Sequence, residues 1–245
     1  PSGRVSSSPA TPPFLSANSV VTAVSVRPET AVTTLFADGN GGVAGLELTR
    51  PDGTTERIGC QALVLACNGY GGNPDLVRRY IPEMDGALYF GHPGNRGDAV
   101  RWGEALGAEL RAMAAYQGHG SVAHPHGILV TWAVVMEGGF QVDAHGRRFS
   151  DETHGYSEQA ATVLRQDGGI AFDIFDGRIA AIARQFEDFR QAESTGAVLS
   201  ADTVEGLASA IRVPEAALQD TFNEVERLIA TGGTDGFGRS FAGVK

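Results

Sequence analysis

The sequence is poor in the residues that mark several classes of protein. It has only two cysteines, Cys60 and Cys67, and their spacing is not that of a CxxC pair. This argues against a disulfide framework and a cysteine-ligated zinc site, and it predicts two small buried residues. Basic residues are also scarce, with 19 Lys and Arg against 29 Asp and Glu. A net charge of −10 argues against a nucleic-acid or anionic-membrane partner, because both require a basic surface.

Long apolar runs are absent as well. No stretch approaches the roughly 20 residues of a membrane-spanning helix, and no charged-then-apolar leader resembles a signal peptide. We therefore expect a cytoplasmic protein. Hydrophobic residues at 42% and charged residues at 20% are ordinary globular values. The length of 245 residues suits one large domain or two modest ones.

Glycine, in contrast, is abundant, and many of its 33 residues occur in Gly-Gly pairs. Such usage is typical of tight turns and of backbone that approaches another group closely. The glycine content is therefore explained equally well by a flat ligand next to the backbone and by ordinary loops. Residues 1–19 are rich in Ser and Pro, and we expect them to form a disordered or loosely ordered tail.

Short alternating segments follow, VVTAVSV from Val20, then AVTTLF, VAGLEL and TTERIG, which predict a β-meander. Next, ALVLAC (62–67) is typical of a buried strand of a parallel sheet. It ends in the glycine turn 68–73, and Pro74 begins a predicted short helix. A strand, glycine turn and helix in this order allow backbone to approach a cofactor, although the third glycine of GxGxxG is missing and a simple turn is equally open.

Later elements are predicted in the same way. A helix follows Asp98, whose carboxylate suits either a helix start or a ligand hydroxyl. Strands are predicted over residues 127–135 and 169–175. Helices are predicted over residues 178–190, from the capping box at residues 202–205 to Ile211, and from Pro214 to Gly232. His119, His124 and His126 lack a carboxylate or thiolate complement, so we predict no metal site.

The stretch Gly138–Ser157 is the densest in chemistry. Phe140 and Val142 alternate with polar residues as in a half-buried strand, and a turn follows at residues 143–146. Hydroxyls, carboxylates, an imidazole and a phenol then precede a helical run at residues 159–164. The composition suits a catalytic site, but capping of a helix start favours the same residues.

Four segments in this order resemble motifs of the flavoprotein subunit family of fumarate reductase and succinate dehydrogenase, which includes soluble fumarate reductases, L-aspartate oxidases and 3-ketosteroid dehydrogenases. They are residues 62–73, 94–98, 138–152, and 203–229 with 237–239. The resemblance implies a mixed α+β fold. A partial Rossmann-like FAD domain with the β-meander would span residues 20–117, an α+β capping domain 118–230, and a truncated return to the FAD domain 231–245. The family's amino-terminal GxGxxG segment and its carboxyl-terminal flavin segment are not present, so we expect an internal fragment.

The resemblance also assigns roles to single residues. It implies FAD as the cofactor and places the following residues against it: Val32, Ala66, Asn68, Gly69, Gly71, Gly72 and Asp98. For the substrate it implies His119 and Thr131. The family's TExxR proton relay becomes Thr131-Trp132-Ala133-Val134-Val135, and its arginine four residues after the NE pair becomes Tyr156.

Tyr156 is similar to the catalytic tyrosine of 3-ketosteroid dehydrogenases, and His154 is a candidate to supply a positive charge to it. Without the relay's cations a dicarboxylate substrate is disfavoured. The predicted function is an FAD-dependent oxidoreductase that transfers a hydride between the flavin and a C–C or C=C bond next to a carbonyl or carboxyl group of a small molecule. The alternatives are a flavin-free, inactive and self-associating fragment, and a nicotinamide-dinucleotide binder, which the preceding meander disfavours.

Overall fold

The computed structural model describes residues 25–244. The predicted tail and residues 20–24 of the first predicted strand lie outside the described residues, and residues 25 and 26 are not in a strand. Helices and small antiparallel sheets occur together, which confirms the predicted α+β class.

In chain order the helices and strands are β1 (Ala31–Ala37), β2 (Val43–Thr49), β3 (Thr55–Gly59), α1 (Pro74–Tyr80), α2 (Asp98–Ala105), β4 (Val122–Ala123), β5 (Ile128–Leu129), α3 (Ala133–Met136), β6 (Phe140–Val142), α4 (Tyr156–Leu164), β7 (Phe172–Ile174), α5 (Gly177–Ala183), α6 (Glu187–Ser194), α7 (Val204–Ile211) and α8 (Glu215–Thr231). Short 3-10 turns lie at Pro82–Met84, Glu152–His154 and Asp167–Gly169.

The chain divides into two compact units. Among the described residues, the first comprises 25–73 together with 92–112, and the second comprises 74–91 together with 113–244. The first unit contains α2 and an antiparallel sheet in the order β1-β2-β3, which confirms the rest of the predicted meander. Its first turn is fixed by Asp38, whose carboxylate accepts hydrogen bonds from the Asn40 and Gly42 N–H groups at 2.9 and 2.7 Å.

The prediction of a buried strand at residues 62–67 is wrong. The segment is irregular, and Val64 is 86% exposed. Cys67 is also exposed and Cys60 is half-buried, so the cysteines are not the buried residues that the sequence predicted. A strand needs a neighbour to take its main-chain hydrogen bonds, and among residues 25–244 none of the three sheets includes this segment.

The second unit has two apolar cores. One lies where the β6–β7 sheet packs on α7 and α8, and it fully buries Val142, Leu218 and Phe241. The other joins α3, α5 and α6 around Phe189 and Val135. Each fully buried side chain of this size contributes about 1.5–3 kcal/mol. These cores hold β6, β7 and α3 in place.

Several predicted elements of this unit are shorter than expected. Residues 127–135 form only β5 before the chain turns into α3, and the helix predicted over 178–190 is two helices, α5 and α6. The last two helices are confirmed, with Thr203 capping α7 by accepting from the Gly206 N–H at 3.0 Å and Gly232 ending α8 in the left-handed region. Among residues 25–244, no helix combines the length and the hydropathy that crossing a membrane demands.

Candidate active site

The segment Gln117–Ser121, with the sequence QGHGS, runs against the start of α4. Its two glycines are required by close packing. A Cβ at Gly118 would lie 2.5 Å from the Ala160 Cβ, and one at Gly120 would lie 2.9 Å from the Gln159 Cβ. Glycine therefore lets this segment approach the helix closely.

Tyr156, the first residue of α4, is held by this segment at three points. Its main-chain oxygen accepts from the Gly120 N–H at 2.8 Å. Its ring stacks on the His119 imidazole, with 5.1 Å between ring centroids and 21° between planes. Its phenolic oxygen accepts from the Gln117 Nε2 at 3.1 Å. Tyr156 remains 38% exposed, so the phenol is both oriented and open to a small molecule.

His119 lies between Tyr156 and Trp132, whose ring meets it edge-on at 5.8 Å. Burial lowers the pKa of His119, so the imidazole is uncharged at neutral pH. Its Nδ1 accepts from the Ser121 N–H at 3.2 Å. Trp132 is 9% exposed, and its indole Nε1–H has no acceptor among the described residues.

The other two predicted catalytic residues lie in different settings. Thr131 is buried, and its hydroxyl accepts from the Ala133 N–H at 3.3 Å at the start of α3, next to Trp132 in the chain. The His154 side chain is 73% exposed and lies 3.6 Å from the Asp151 carboxylate. The groups that the structure records against the Tyr156 side chain are thus His119 and Gln117.

A layer of buried polar groups lies beneath the QGHGS segment. Gln141 Nε2 donates to the Gly120 oxygen at 2.9 Å and to Asp173 Oδ1 at 2.7 Å, and its Oε1 accepts from Gln159 at 2.8 Å. The Ser121 hydroxyl bonds the other oxygen of Asp173. Gln141 is only 1% exposed, so the predicted half-buried strand is wrong in this respect. A polar side chain can face inward here because its amide finds partners.

Glu152 is the centre of a second buried network. It is fully buried and accepts from the Gln141 N–H, from two nitrogens of Arg148 and from Arg239 Nη1 at 2.8–3.1 Å. Arg148 also pairs with Asp235. Two carboxylates thus balance two guanidinium groups, and the loop after β6 is tied to residues 235–239.

The predicted flavin-binding residues all belong to the first unit. Residues 68–73 and 95–98 are joined there, because the Gly72 N–H donates to the Asn95 oxygen and the Asn73 side chain donates to the Arg96 oxygen, both at 2.9 Å. Asp98 begins α2 and pairs with Arg101 rather than capping the helix. The structure therefore brings the turn and the Asp98 loop together.

The glycine turn at residues 68–72 has exposed backbone at its start. Asn68 adopts a left-handed conformation with φ 61°, and its side chain accepts from the Gly69 N–H at 2.9 Å. A Cβ at Gly69 would meet nothing within 4 Å, so the backbone is open at that point. Ala66 before the turn is exposed, and Val32 lies half-buried in β1, paired with Leu48. Their roles toward a flavin stay predictions.

Within the described part of the chain, no group of three or more His, Cys, Asp or Glu side chains is arranged to hold a metal ion. His124 and His126, which flank a cis peptide at Pro125, are not part of any such group.

The model of the FAD binding domain family matches residues 14–239. The chain belongs to this FAD-binding family. Membership confirms the predicted resemblance and the predicted cofactor, FAD. A probable fumarate reductase of Shewanella frigidimarina is 28% identical over 183 residues, which are 75% of this chain and 31% of the relative. An NADH:acrylate oxidoreductase of Vibrio harveyi is 29% identical over 225 residues, 89% of this chain and 22% of the relative.

A solved structure shares the fold over most of this chain. The open conformation of a flavocytochrome c3 fumarate reductase matches with a TM-score of 0.69 and 27% identity, covering 86% of this chain and 37% of that chain. The chain therefore spans less than two fifths of each of these relatives.

Sequence reasoning missed Gln117, Ser121, Gln141 and Asp173. The alternation of glycine with polar residues in QGHGS was an available signal, because it predicts one face pressed against a neighbour and one face bearing side chains. The sequence contains no comparable signal for Gln141 and Asp173, because a buried polar residue in a strand cannot be told from an exposed one by sequence alone.

Proposed function

We propose that this chain provides the proton-exchanging part of an FAD-dependent oxidoreductase that acts on a C–C or C=C bond next to a carbonyl group. The observation that carries the proposal is the Tyr156 phenol, which is exposed, stacked on His119 and bonded through its oxygen to Gln117. A positioned hydroxyl of this kind can exchange a proton with a carbon atom activated by a neighbouring carbonyl.

FAD, when bound, would supply the hydride chemistry, and the residues that would hold it are the Asn68–Gly72 turn, Asp98 and Val32. The work of the second unit would be proton exchange. In dehydrogenation the Tyr156 phenolate takes a proton from the carbon next to the carbonyl and becomes the phenol, and in reduction the phenol returns a proton and becomes the phenolate. The Gln117 N–H stabilises the phenolate, which is the reactant form in dehydrogenation and the product form in reduction.

The charges of the second unit favour an uncharged carbonyl compound over a dicarboxylate. Where the resemblance implies a glutamate and an arginine, the chain has Trp132 and Val135, both buried. His119 is uncharged at neutral pH because burial lowers its pKa. Arg148 is already held by Glu152 and Asp235. A dicarboxylate in a dry site needs fixed cations, and these residues supply none.

The test uses the flavin-loaded protein under anaerobic conditions, with bleaching of the flavin band near roughly 450 nm as the readout. Cyclic ketones and succinate are tested for bleaching of the oxidised flavin, and enones and fumarate are tested for return of the band after the flavin has been reduced with dithionite. We expect turnover with the uncharged compounds. Tyr156→Phe should lower that turnover by about 10²–10⁴-fold and leave the flavin band intact. The matched control is Tyr116→Phe, a half-buried tyrosine of the same unit.

Unchanged turnover in Tyr156→Phe would remove the phenol from the mechanism. Preference for fumarate would refute the substrate class while leaving the phenol in place. A purified chain without the visible band would favour the second candidate, a flavin-free and inactive fragment.

A further inference from the structure

We propose that Asp173 is a positioning residue that selects which nitrogen of His119 carries the proton. Asp173 acts through Ser121, because it bonds the Ser121 hydroxyl, and the Ser121 main-chain N–H donates to the His119 Nδ1 at 3.2 Å. The use of His119 toward a substrate rests on the proposed function, whereas the choice of nitrogen does not.

The main-chain donor decides the tautomer. A backbone N–H can only donate, so the Nδ1 that faces Ser121 must offer its lone pair. In an uncharged imidazole the proton then lies on Nε2. His119 therefore presents an Nε2–H donor and no positive charge, next to the Tyr156 ring that stacks on it. Such a donor suits a carbonyl oxygen, which accepts hydrogen bonds and carries no charge.

Asp173 fixes the peptide that carries this donor. Gln141 Nε2 joins the Gly120 oxygen, at 2.9 Å, to Asp173 Oδ1, at 2.7 Å, while the Ser121 hydroxyl bonds Oδ2. Both residues of the Gly120–Ser121 peptide are thus tied to one carboxyl group. Ser121 is 5% exposed, so water competes poorly for these bonds.

Burial raises the pKa of Asp173, and the nearby Glu152 charge acts in the same direction, while hydrogen bonds from Ser121 and Gln141 oppose it. The carboxyl therefore keeps its proton to a higher pH than an ordinary aspartate. An asparagine is the closest uncharged mimic of that form, which supplies a conservative variant for the test.

The experiment records the tautomer of His119 by two-dimensional NMR of the full chain with ¹⁵N-labelled imidazole rings. The protein has six histidines, and the His119 signals are assigned by their loss in His119→Gln. The variants are Asp173→Asn, Asp173→Leu and Ser121→Ala, the last of which removes the hydroxyl but keeps the main-chain donor. The exposed carboxylate variant Asp202→Leu is the control.

We expect the Nε2–H tautomer at neutral pH in the unmodified chain, in Asp173→Asn and in the control. In Asp173→Leu and Ser121→Ala a substantial Nδ1–H population should appear. In the flavin-loaded protein these two variants should also raise KM for an uncharged carbonyl substrate about tenfold, the cost of one hydrogen bond, with a smaller change in kcat.

A His119 that carries its proton on Nδ1 in the unmodified chain would overturn the proposal. So would a folded Ser121→Ala protein whose His119 keeps the Nε2–H tautomer alone. Ser121→Ala decides the matter if Asp173→Leu does not fold. Because the tautomer is measured without flavin or substrate, its outcome is separate from that of the proposed reaction.

Discussion

Replacement of Glu152 by glutamine should destabilise the second unit strongly, although it changes only one atom. Glu152 is fully buried and accepts hydrogen bonds at both oxygens: from the Gln141 N–H and Arg148 Nε at Oε1, and from Arg148 Nη2 and Arg239 Nη1 at Oε2. The amide nitrogen of a glutamine cannot accept. In either orientation of the amide, two donors lose their acceptor and face an NH₂ group.

The magnitude follows from the charges. Two guanidinium groups, Arg148 and Arg239, are balanced by Glu152 and Asp235, so the substitution leaves one buried positive charge unpaired. Removal of one partner of a buried pair costs about 3–5 kcal/mol. Two lost hydrogen bonds to charged groups, at about 1.5–3 kcal/mol each, give a similar figure. This is a large share of the 5–15 kcal/mol that is typical of a domain.

The assay is urea unfolding followed by tryptophan fluorescence. The chain has two tryptophans, and Trp102 belongs to the first unit, so in a Trp102→Phe background Trp132 alone reports on the second. The control is Glu187→Gln, whose carboxylate is 79% exposed and pairs with Arg190, and it should cost less than about 0.5 kcal/mol. A loss below about 1 kcal/mol in Glu152→Gln, at an unchanged urea dependence, would refute the reasoning.

Three further predictions concern the same unit. Gly118→Ala should cost about 1–3 kcal/mol and reduce turnover, as measured by thermal melting and flavin bleaching, because its methyl group has no room against α4. Gln117→Leu should reduce turnover about tenfold at an unchanged Tm. This is a small effect for the loss of a hydrogen-bond donor, because Gln117 is exposed. An unaltered rate would mean that the hydrogen bond from Gln117 to Tyr156 does not contribute to catalysis. For Asp235, burial is outweighed by the hydrogen bond and charge of Arg148, so its pKa is lowered from 3.8. The loss of unfolding free energy in Asp235→Asn should therefore be constant above about pH 5 and become smaller as the pH falls below about 4. Urea unfolding at several pH values measures this loss. A loss that increases at acid pH would contradict the prediction.

The sequence predicts helix bounds best where the signals for the start and the end of a helix agree with its apolar spacing. Pro74 sits at the first turn of α1, where its missing N–H costs nothing, and α1 runs to the predicted residue. The helix from Pro214 repeats apolar residues at helical spacing, and Gly232 ends it with φ 63°. Both elements carry their own start and stop signals, so no knowledge of neighbouring elements was needed.

Prediction failed where an apolar run has no such signals. Residues 62–67 were assigned to a buried strand, yet the segment is irregular and mostly exposed. Residues 127–135 were assigned to one strand, yet the chain turns after β5, with Val134 N–H donating to the Thr131 oxygen at 3.1 Å. A short apolar run fits a strand, a buried helix or a bend equally well, and only the partners decide.

The candidate site shows the same division. His119 and Tyr156 were named through resemblance, and the structure stacks their rings. Residues that act through long-range hydrogen bonds, such as Asp173 and Ser121, are 52 positions apart in the chain. No spacing rule connects such residues, because the register between β6 and β7 places Asp173 opposite Gln141, and Gln141 in turn bonds the Gly120 oxygen next to Ser121.

The placement of charge in the second unit separates structural roles from functional ones. Arg148, Glu152, Asp235 and Arg239 neutralise one another in the interior and tie the loop after β6 to the end of the chain. The groups against the Tyr156 side chain are instead an amide and an uncharged imidazole, and an indole meets that imidazole edge-on. Because these four buried charges pair with one another, none of them is left to bind a dicarboxylate, whereas an uncharged carbonyl compound needs only hydrogen-bond donors. This pairing supports the uncharged carbonyl substrate that we propose, as does a tyrosine at position 156.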